Sequence, residues 1–528
     1  MNLEGINIEN IVFLGSILLF ISIIAGKTGY RLGVPTLVLF LCVGMFFGHD
    51  GAGVVEFSSA KVPQFIGVLA LNIILFSGGM DTKYSEIKPV MAQGIVLATF
   101  GVLFTAVISG VFIYFLTQNL FTSITFSFLE ALLLASVMSS TDSASVFAIL
   151  GSRGLVLKER MRPLLELESG SNDPMAYLLT ITFIQLIQFG EGSWWMIAGM
   201  FAMQLVIGAA LGYLLGRAAV WGLNHINIDN ASLYPVLLLS LLFMIFTITY
   251  YLKGNGYLAV YISGLVVGNS KFVHKKTSKK FMDGMTWLFQ IVMFLTLGML
   301  VYPSELLPIV WIGLIVSLFM IFVSRPIAVW LCLLPFGKRI SMRSKHYVSW
   351  VGLRGAAPIL FATYPLTSGI EIGGMIFNIV FFVTLVSLLV QGTTVPIVAG
   401  WLGLAGKDKP QSKLQKFEVE LSDEIKSSMS ELTLQPDHLS HGHRIMDMPL
   451  PENTLVVMVN RGDHYFVPTG TTELEPDDVV LLISDNEKTL EDTYAQLGIV
   501  VEQEEKNKLP LRKRKKAISR NHKKGHGR

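Results

Sequence analysis

Cysteine is nearly absent from the chain: Cys42 and Cys332 are the only two in 528 residues, both lie in apolar segments, and neither has metal-ligand spacing. That excludes a disulfide framework and a zinc site, and it leaves the compartment undetermined. Charge is scarce as well, at 15% of residues against 52% hydrophobic ones, more apolar side chain than a soluble core needs. The first apolar run has Glu4 and Glu9 before it instead of a basic stretch, and no small-residue cleavage site is evident. It is therefore expected to be a retained helix and not a signal peptide. Gly26-Lys27-Thr28 has the ending of a phosphate loop, but Ile21 stands where that motif requires glycine, which excludes ATP binding there.

What the chain has in abundance is helix-length apolar sequence, filling residues 9 to 404. Segments of about 20 residues, the length that spans a bilayer, fall near 9–25, 33–49, 62–79, 90–117, 128–150, 164–189, 195–217, 232–252, 256–269, 285–302, 307–334, 346–366 and 373–402. The predicted fold is an all-α polytopic membrane protein of about thirteen transmembrane helices, followed by a small α/β domain. Basic residues crowd one set of alternate loops, from Lys27 and Arg31 through Lys83, Arg153, Arg160, Lys271 and Lys275 to Arg343 and Lys345, whereas the opposite set holds only Lys61 and Lys253. The positive-inside rule makes the rich set cytoplasmic, with the N-terminus outside and the C-terminal region inside.

An odd number of spans divides as six, one linker and six, so the second six has inverted topology. In folds of this kind, unwound segments at corresponding places in the two halves bracket a substrate site. The fifth segment carries Ser139-Ser140-Thr141-Asp142-Ser143 in its middle, and its counterpart, the twelfth, carries Gly352-Leu353-Arg354-Gly355-Ala356-Ala357-Pro358. The sixth contains Glu168-Ser169-Gly170-Ser171-Asn172-Asp173-Pro174 and is expected to be interrupted there. Pro174 lacks an N–H and so releases the carbonyl of Gly170. Ser169 and Asp173 are four apart and share a helical face, so a hydroxyl and a carboxylate converge on it. Oxygen ligands suit a hard cation, and Asp142 and Arg354 are placed to compensate the partial charges of half-helix ends.

An ionisable group in mid-membrane costs about 2.5–3.5 kcal/mol on the lenient insertion scale, which makes Asp173 an ion or proton site before it is a structural residue. Asp142 caps a broken helix as readily as it touches an ion. Arg354 reads as structural, because a guanidinium does not exchange a proton and needs a carboxylate partner, for which Glu168 is the expected one. Arg325, followed by Pro326, is expected to snorkel or pair near the cytoplasmic side, with no chemistry assigned to it.

Thr141-Asp142, the Glu168-to-Pro174 stretch and the Gly352-to-Pro358 stretch together resemble the signature of monovalent cation/proton antiporters of the NhaP type, over essentially residues 9 to 404. The resemblance implies a thirteen-helix homodimer in a bacterial inner membrane, with a core bundle that moves against a dimer bundle. It also implies that Asp173 alternately binds cation and proton, that Ser169 and the Thr141 backbone are accessory ligands, that Glu168 pairs with Arg354, and that Asn172 marks the electroneutral branch. One departure is Ser77, in Leu75-Phe76-Ser77-Gly78-Gly79-Met80, where many relatives carry an acidic residue.

The mechanism follows without the family. A bare carboxylate crossing a low-dielectric barrier is strongly penalised, and one neutralised by a proton or a monovalent cation much less so. Only loaded forms then move, and one proton exchanges for one cation with no net charge transferred. Burial favours the protonated form and a bound cation the ionised one, which is the competition that coupling requires.

Beyond Leu404 the composition turns charged and soluble. Thr454 to Asn460 and His464 to Pro468 flank Arg461-Gly462-Asp463 as a hairpin, Asp477 to Ile483 reads as another strand, and a helix is expected from Glu487 to Leu497. Val456 to Gly462, Val467 to Gly470 and Leu474 to Ile483 resemble the C-terminal lobe of potassium-conductance regulators, the TrkA-C type. That implies a cytoplasmic regulatory module over residues 405–500 whose ligand class includes nucleotides; an assembly domain without a ligand is the alternative. No Gly-x-Gly-x-x-Gly occurs there, so a dinucleotide lobe is not expected. Residues 501–528 carry Arg512-Lys513-Arg514-Lys515-Lys516 and read as a basic disordered tail suited to anionic lipid, with no nucleic-acid partner expected.

Two rival functions are weaker. A ligand-gated cation channel would pair the same parts, but no Thr-Val-Gly-Tyr-Gly filter is present, and one intramembrane carboxylate suits exchange better than conduction. A membrane-anchored ion sensor needs an output domain, and none is visible. Potassium is favoured over sodium by analogy with the regulator lobe alone.

Overall fold

Long apolar helices account for most of residues 8–407, as the hydropathy pattern requires. The computed structural model describes residues 8–32, 35–53, 59–121, 124–190, 194–407, 429–434, 443–448, 450, 454–462 and 464–484. Two compact units are distinguished, Met1–Asp408 and Lys409–Arg528. The helices of the first are α1 (Ile8–Leu32), α2 (Thr36–Phe47), α3 (Lys61–Asp81), α4 (Tyr84–Asn119), α5 (Phe128–Val137), α6 (Ser143–Ser152), α7 (Met161–Phe189) and α8 (Trp194–His225). They continue as α9 (Leu233–Tyr251), α10 (Gly256–Gly268), α11 (Lys275–Met299), α12 (Val310–Gly337), α13 (Met342–Trp350), α14 (Ala356–Thr367) and α15 (Gly373–Trp401). Among the described residues, seven helices are long and apolar enough to cross a membrane, and shorter apolar helices lie between them.

Two expected segments are indeed discontinuous. The fifth is the pair α5 and α6, separated at residues 138–142; the twelfth is the pair α13 and α14, separated at residues 351–355. The sixth is not interrupted, contrary to expectation: α7 runs through Pro174 as one helix. Proline removes a single N–H, and a long helix packed on both sides tolerates that loss where neighbours re-satisfy the backbone. Asn255, the N-cap of α10, is tied to the helix at this point: its Nδ2 donates to the Pro174 carbonyl at 2.7 Å. The basic run Lys275–Lys280, read as loop, forms the first turns of α11.

Both α4 and α12 contain one π-helical turn, at Leu97–Gly101 and Met320–Ser324. The two helices touch beside the second of these turns, where Ser109 Oγ donates to Ser324 Oγ at 2.8 Å and Phe112 stacks on Phe319 with ring centroids 3.7 Å apart. Elsewhere small residues set the helix spacing. A Cβ on Gly264 of α10 would collide with the Phe76 carbonyl oxygen of α3, and one on Gly79 of α3 would lie 2.5 Å from the Tyr261 carbonyl oxygen of α10. This is close backbone approach of the small-residue kind used in membranes.

The second unit has a four-stranded antiparallel sheet in the order β3-β6-β4-β5, where β3 is Met429–Thr433, β4 is Thr454–Arg461, β5 is His464–Phe466 and β6 is Val479–Ser484. The β4–β5 hairpin and β6 stand where the sequence predicted them; β3 was not foreseen. Leu432, Leu434, Val456, Val459, Val480 and Leu482 fill its core. Arg461 clamps Asp478 from Nε at 2.9 Å and from NH2 at 2.8 Å. The expected helix Glu487 to Leu497 and the basic tail lie outside the described residues.

Gly264→Ala forces a methyl group against the α3 backbone and is expected to destabilise the membrane unit by about 1–3 kcal/mol, read as a lower thermal midpoint in detergent. Gly284→Ala, on α11 where a Cβ meets open space, is expected to leave that midpoint unchanged.

Candidate functional site

The two discontinuous segments meet each other. The Asp142 N–H donates to the Leu353 carbonyl at 2.6 Å, so the break after α5 is bonded to the break after α13. Gly355 has no side chain because the Asp142 carboxylate occupies the space its Cβ would take. Four half-helix ends therefore point into one region, with two N-termini and two C-termini carrying opposite partial charges.

Side chains neutralise those ends in the way their types suggest. Asp142 is the N-cap of α6: its carboxylate accepts from the Ser145 N–H at 3.1 Å and from Ser145 Oγ at 2.5 Å. Arg354 is 1% exposed, and its Nε donates to the Met138 carbonyl at 2.9 Å, at the C-terminal end of α5. The expected compensation by Asp142 and Arg354 is thus what the structure has. Two further polar side chains serve the second break from α15. Ser387 Oγ accepts from the Arg354 N–H at 3.1 Å and donates to Gln391 Oε1 at 2.5 Å, while Gln391 Nε2 donates to the Trp350 carbonyl at 2.7 Å.

The expected pairing of Glu168 with Arg354 is not formed. Glu168 Oε1 accepts instead from Arg325 NH2, both side chains being buried. Arg325 follows directly on the π-helical turn of α12, which turns it inward to α7 rather than toward the membrane surface. Gly352 leaves room for its stem, since a Cβ there would lie 3.0 Å from Arg325 Cγ and Nε. Arg325 therefore does not snorkel, and breaking such a buried pair by removing one partner costs about 3–5 kcal/mol.

Beside this framework lies the carboxylate of Asp173. Ser140 Oγ, in the first break, donates to Asp173 Oδ1. Ser169 Oγ donates to the Thr141 carbonyl at 3.0 Å and accepts from the Ser143 N–H at 3.0 Å. Asn172 Nδ2 donates to Thr141 Oγ1 at 2.6 Å and to the Thr141 carbonyl at 3.2 Å, and its buried Oδ1 has no partner among the described residues. The sequence-predicted residues Asp173, Ser169, Asn172, Thr141 and Asp142 are accordingly brought together, with Glu168 directed away toward Arg325.

Exposure follows the helical period. Ser169, Asp173 and Tyr177, spaced by four along α7, are each partly exposed, whereas Glu168 and Asn172 are buried. Asp173 lies about 18 Å from the start of α7 and about 24 Å from its end. One turn beyond it, Tyr177 packs against Tyr257 with ring centroids 4.8 Å apart and against Tyr364 at 5.4 Å, and the Tyr257 and Tyr364 hydroxyls are 3.3 Å apart. A polar carboxylate thus lies one helical turn from a packed aromatic cluster.

Three functional neighbours escaped the sequence reading. Ser140 stood in a run of hydroxyl residues with nothing to single it out. Ser387 and Gln391 were detectable in principle, as two polar residues four apart in an apolar 29-residue helix. Arg325 was expected to snorkel or pair; it pairs, and the partner that was not foreseen is Glu168.

The family described as sodium/hydrogen exchanger, transmembrane, matches residues 16–401, and the TrkA-C domain matches residues 429–497. The chain is 35% identical over 482 residues to a protein named K(+)/H(+) antiporter NhaP from Alkalimonas amylolytica, a match covering 91% of this chain and 82% of the relative. It is 36% identical over 493 residues to the K(+)/H(+) antiporter NhaP2 of Shewanella oneidensis, covering 93% and 83%. Its fold is similar to the solved structure of the sodium proton antiporter MjNhaP1 from Methanocaldococcus jannaschii at pH 8, with a TM-score of 0.64 and 23% identity over 75% of this chain and 98% of that one. With crossing broken helices around a partly exposed carboxylate, and a family match over most of its length, the chain belongs to the sodium/hydrogen exchanger family.

Proposed function

We propose that this protein is a secondary antiporter that exchanges one potassium ion for one proton, with Asp173 as the group that carries each in turn. The observation that carries the reading is the partly exposed Asp173, in the middle of the 29-residue α7 and beside two crossing backbone breaks. A free carboxylate at that depth is unfavourable by about 2.5–3.5 kcal/mol or more. Protonation removes the charge, and a bound monovalent cation balances it. The site changes sides only in these two loaded states, which couples the two fluxes.

Ser140 holds one carboxylate oxygen, and the Thr141 carbonyl, held by Ser169 and Asn172, is the second ligand group; Ser169 Oγ is the third. Asp142, Glu168 and Arg354 act through geometry and charge compensation. Potassium is favoured because the relatives at 35–36% identity are named as potassium/proton antiporters, whereas the fold neighbour at 23% identity is named for sodium. Asn172 before Asp173 leaves a single acidic residue at the exchange position, which supports one-for-one stoichiometry.

The membrane unit, residues 1–404, crosses a bacterial inner membrane thirteen times as two inverted six-helix repeats. Counterpart breaks in the fifth and twelfth segments and counterpart π-helical turns in α4 and α12 support the repeat. The N-terminus is outside, following the basic loops, and the protein works as a homodimer. Residues 405–407 lead from the membrane unit into a cytoplasmic regulatory domain, ending at residue 500, that responds to a small ligand of the nucleotide class, and 501–528 form a basic tail toward anionic lipid.

Asp173→Asn, a neutral mimic of the protonated form, is expected to abolish potassium-dependent proton flux in proteoliposomes; retained flux would remove Asp173 from the mechanism. Wild-type exchange is expected to run without a charge-compensating ionophore and to generate no membrane potential. A steady current on a supported membrane would contradict one-for-one exchange.

A further inference from the structure

Residues 155–160 join four parts of the membrane unit. β1 (Leu155–Leu157) pairs antiparallel with β2 (Ala405–Lys407), Leu155 opposite Lys407, Val156 opposite Gly406 and Leu157 opposite Ala405. The ribbon is extended by the Lys158 N–H, which donates to the Leu404 carbonyl at 2.9 Å. Since hydrogen-bonded pairs alternate along an antiparallel ladder, Val156 and Gly406 are also such a pair. Leu404, only 1% exposed, anchors the start of β2 in the membrane unit.

The next residue is bonded to a different element. Glu159 accepts from Ser344 Oγ at 2.6 Å and from Ser341 Oγ at 2.7 Å, Ser341 being the N-cap of α13. These two hydroxyls, with Arg343 nearby, hold the Glu159 carboxyl below the usual range. Glu159 and Arg160 both adopt left-handed backbone, with φ of 58° and 57°. Successive non-glycine residues in that region persist only where their surroundings impose it. Arg160 then starts α7, the helix of Asp173.

One short segment is thus continuous with α6 and α7, clasped to the start of α13, and paired with the last strand before the chain enters the second unit. We propose that the β1–β2 ribbon and its Glu159 clasp transmit regulation: displacement of β2 moves the loop that fixes the ends of α6, α7 and α13, and so the crossing at Asp142 and Leu353 beside Asp173. Backbone pairing in fixed register passes such a displacement without slack, because a slip of one residue would unmake every pair. The inference rests on the regulatory reading of the second unit.

The test uses the full chain with a protease site inserted between residues 415 and 420, reconstituted and then cut. Cutting releases β2 from the second unit without removing either part during folding. In the parent chain, cutting is expected to change the exchange rate about five-fold or more, the lower range of ordinary coupling between sites. Gly406→Pro removes the N–H that β1 receives, and Glu159→Ala removes the clasp; in both, cutting is expected to leave the rate nearly unchanged. A parent-sized response in Gly406→Pro overturns the inference while the regulatory reading stands. Should that variant fail to fold, a parent-sized response in Glu159→Ala does the same. No response in the parent chain overturns the regulatory reading, and this inference with it.

Discussion

A carboxylate held deep in a low-dielectric slab is the constraint on which the rest of this protein depends. Asp173 cannot sit ionised and alone at that depth, and in the proposed exchange it is the group that holds proton and cation in turn. Every neighbouring feature is a way of keeping that group accessible and solvated by protein. Ser140 donates to it, the Thr141 backbone is presented beside it, and a packed tyrosine cluster lies one turn beyond it.

Presenting peptide groups in a membrane interior requires breaking helices, and a broken helix leaves polar groups that must be paired. The structure pairs them reciprocally. Asp142 caps α6 while its own N–H is bonded to the opposite break, and Arg354 places a cation at the C-terminal end of α5 while its N–H is received by Ser387. Glu168 and Arg325 neutralise each other as a buried pair. Asp173 is thereby left as the carboxylate beside the breaks that neither caps a helix nor faces an arginine.

Much of this was legible from the chain. Hydropathy located the apolar helices, and Ser139–Ser143 and Gly352–Pro358 marked both true breaks because hydroxyls, glycines and charge cannot be explained as lipid-facing sequence. The i, i+4 relation of Ser169 and Asp173 survived, since helical periodicity is local. The reading failed where long-range packing decides. Pro174 suggested a third break, yet α7 runs through it as one helix. Arg354 was given to Glu168 because both are charged and both lie in interrupted segments; the actual partner, Arg325, is turned inward by a π-helical turn that one sequence does not announce. Ser140, Ser387 and Gln391 do their work through geometry between distant helices, to which spacing along the chain is blind.

Competition at a single group has a kinetic signature that most other schemes lack. The decisive measurement is the apparent KM for potassium across a pH series in oriented proteoliposomes. If proton and cation share Asp173, acidification raises that KM by about tenfold per pH unit once the proton occupies the site, and saturating potassium restores the maximal rate. A KM that stays constant while the maximal rate falls would mean that the two ions bind separate groups, and would contradict the account.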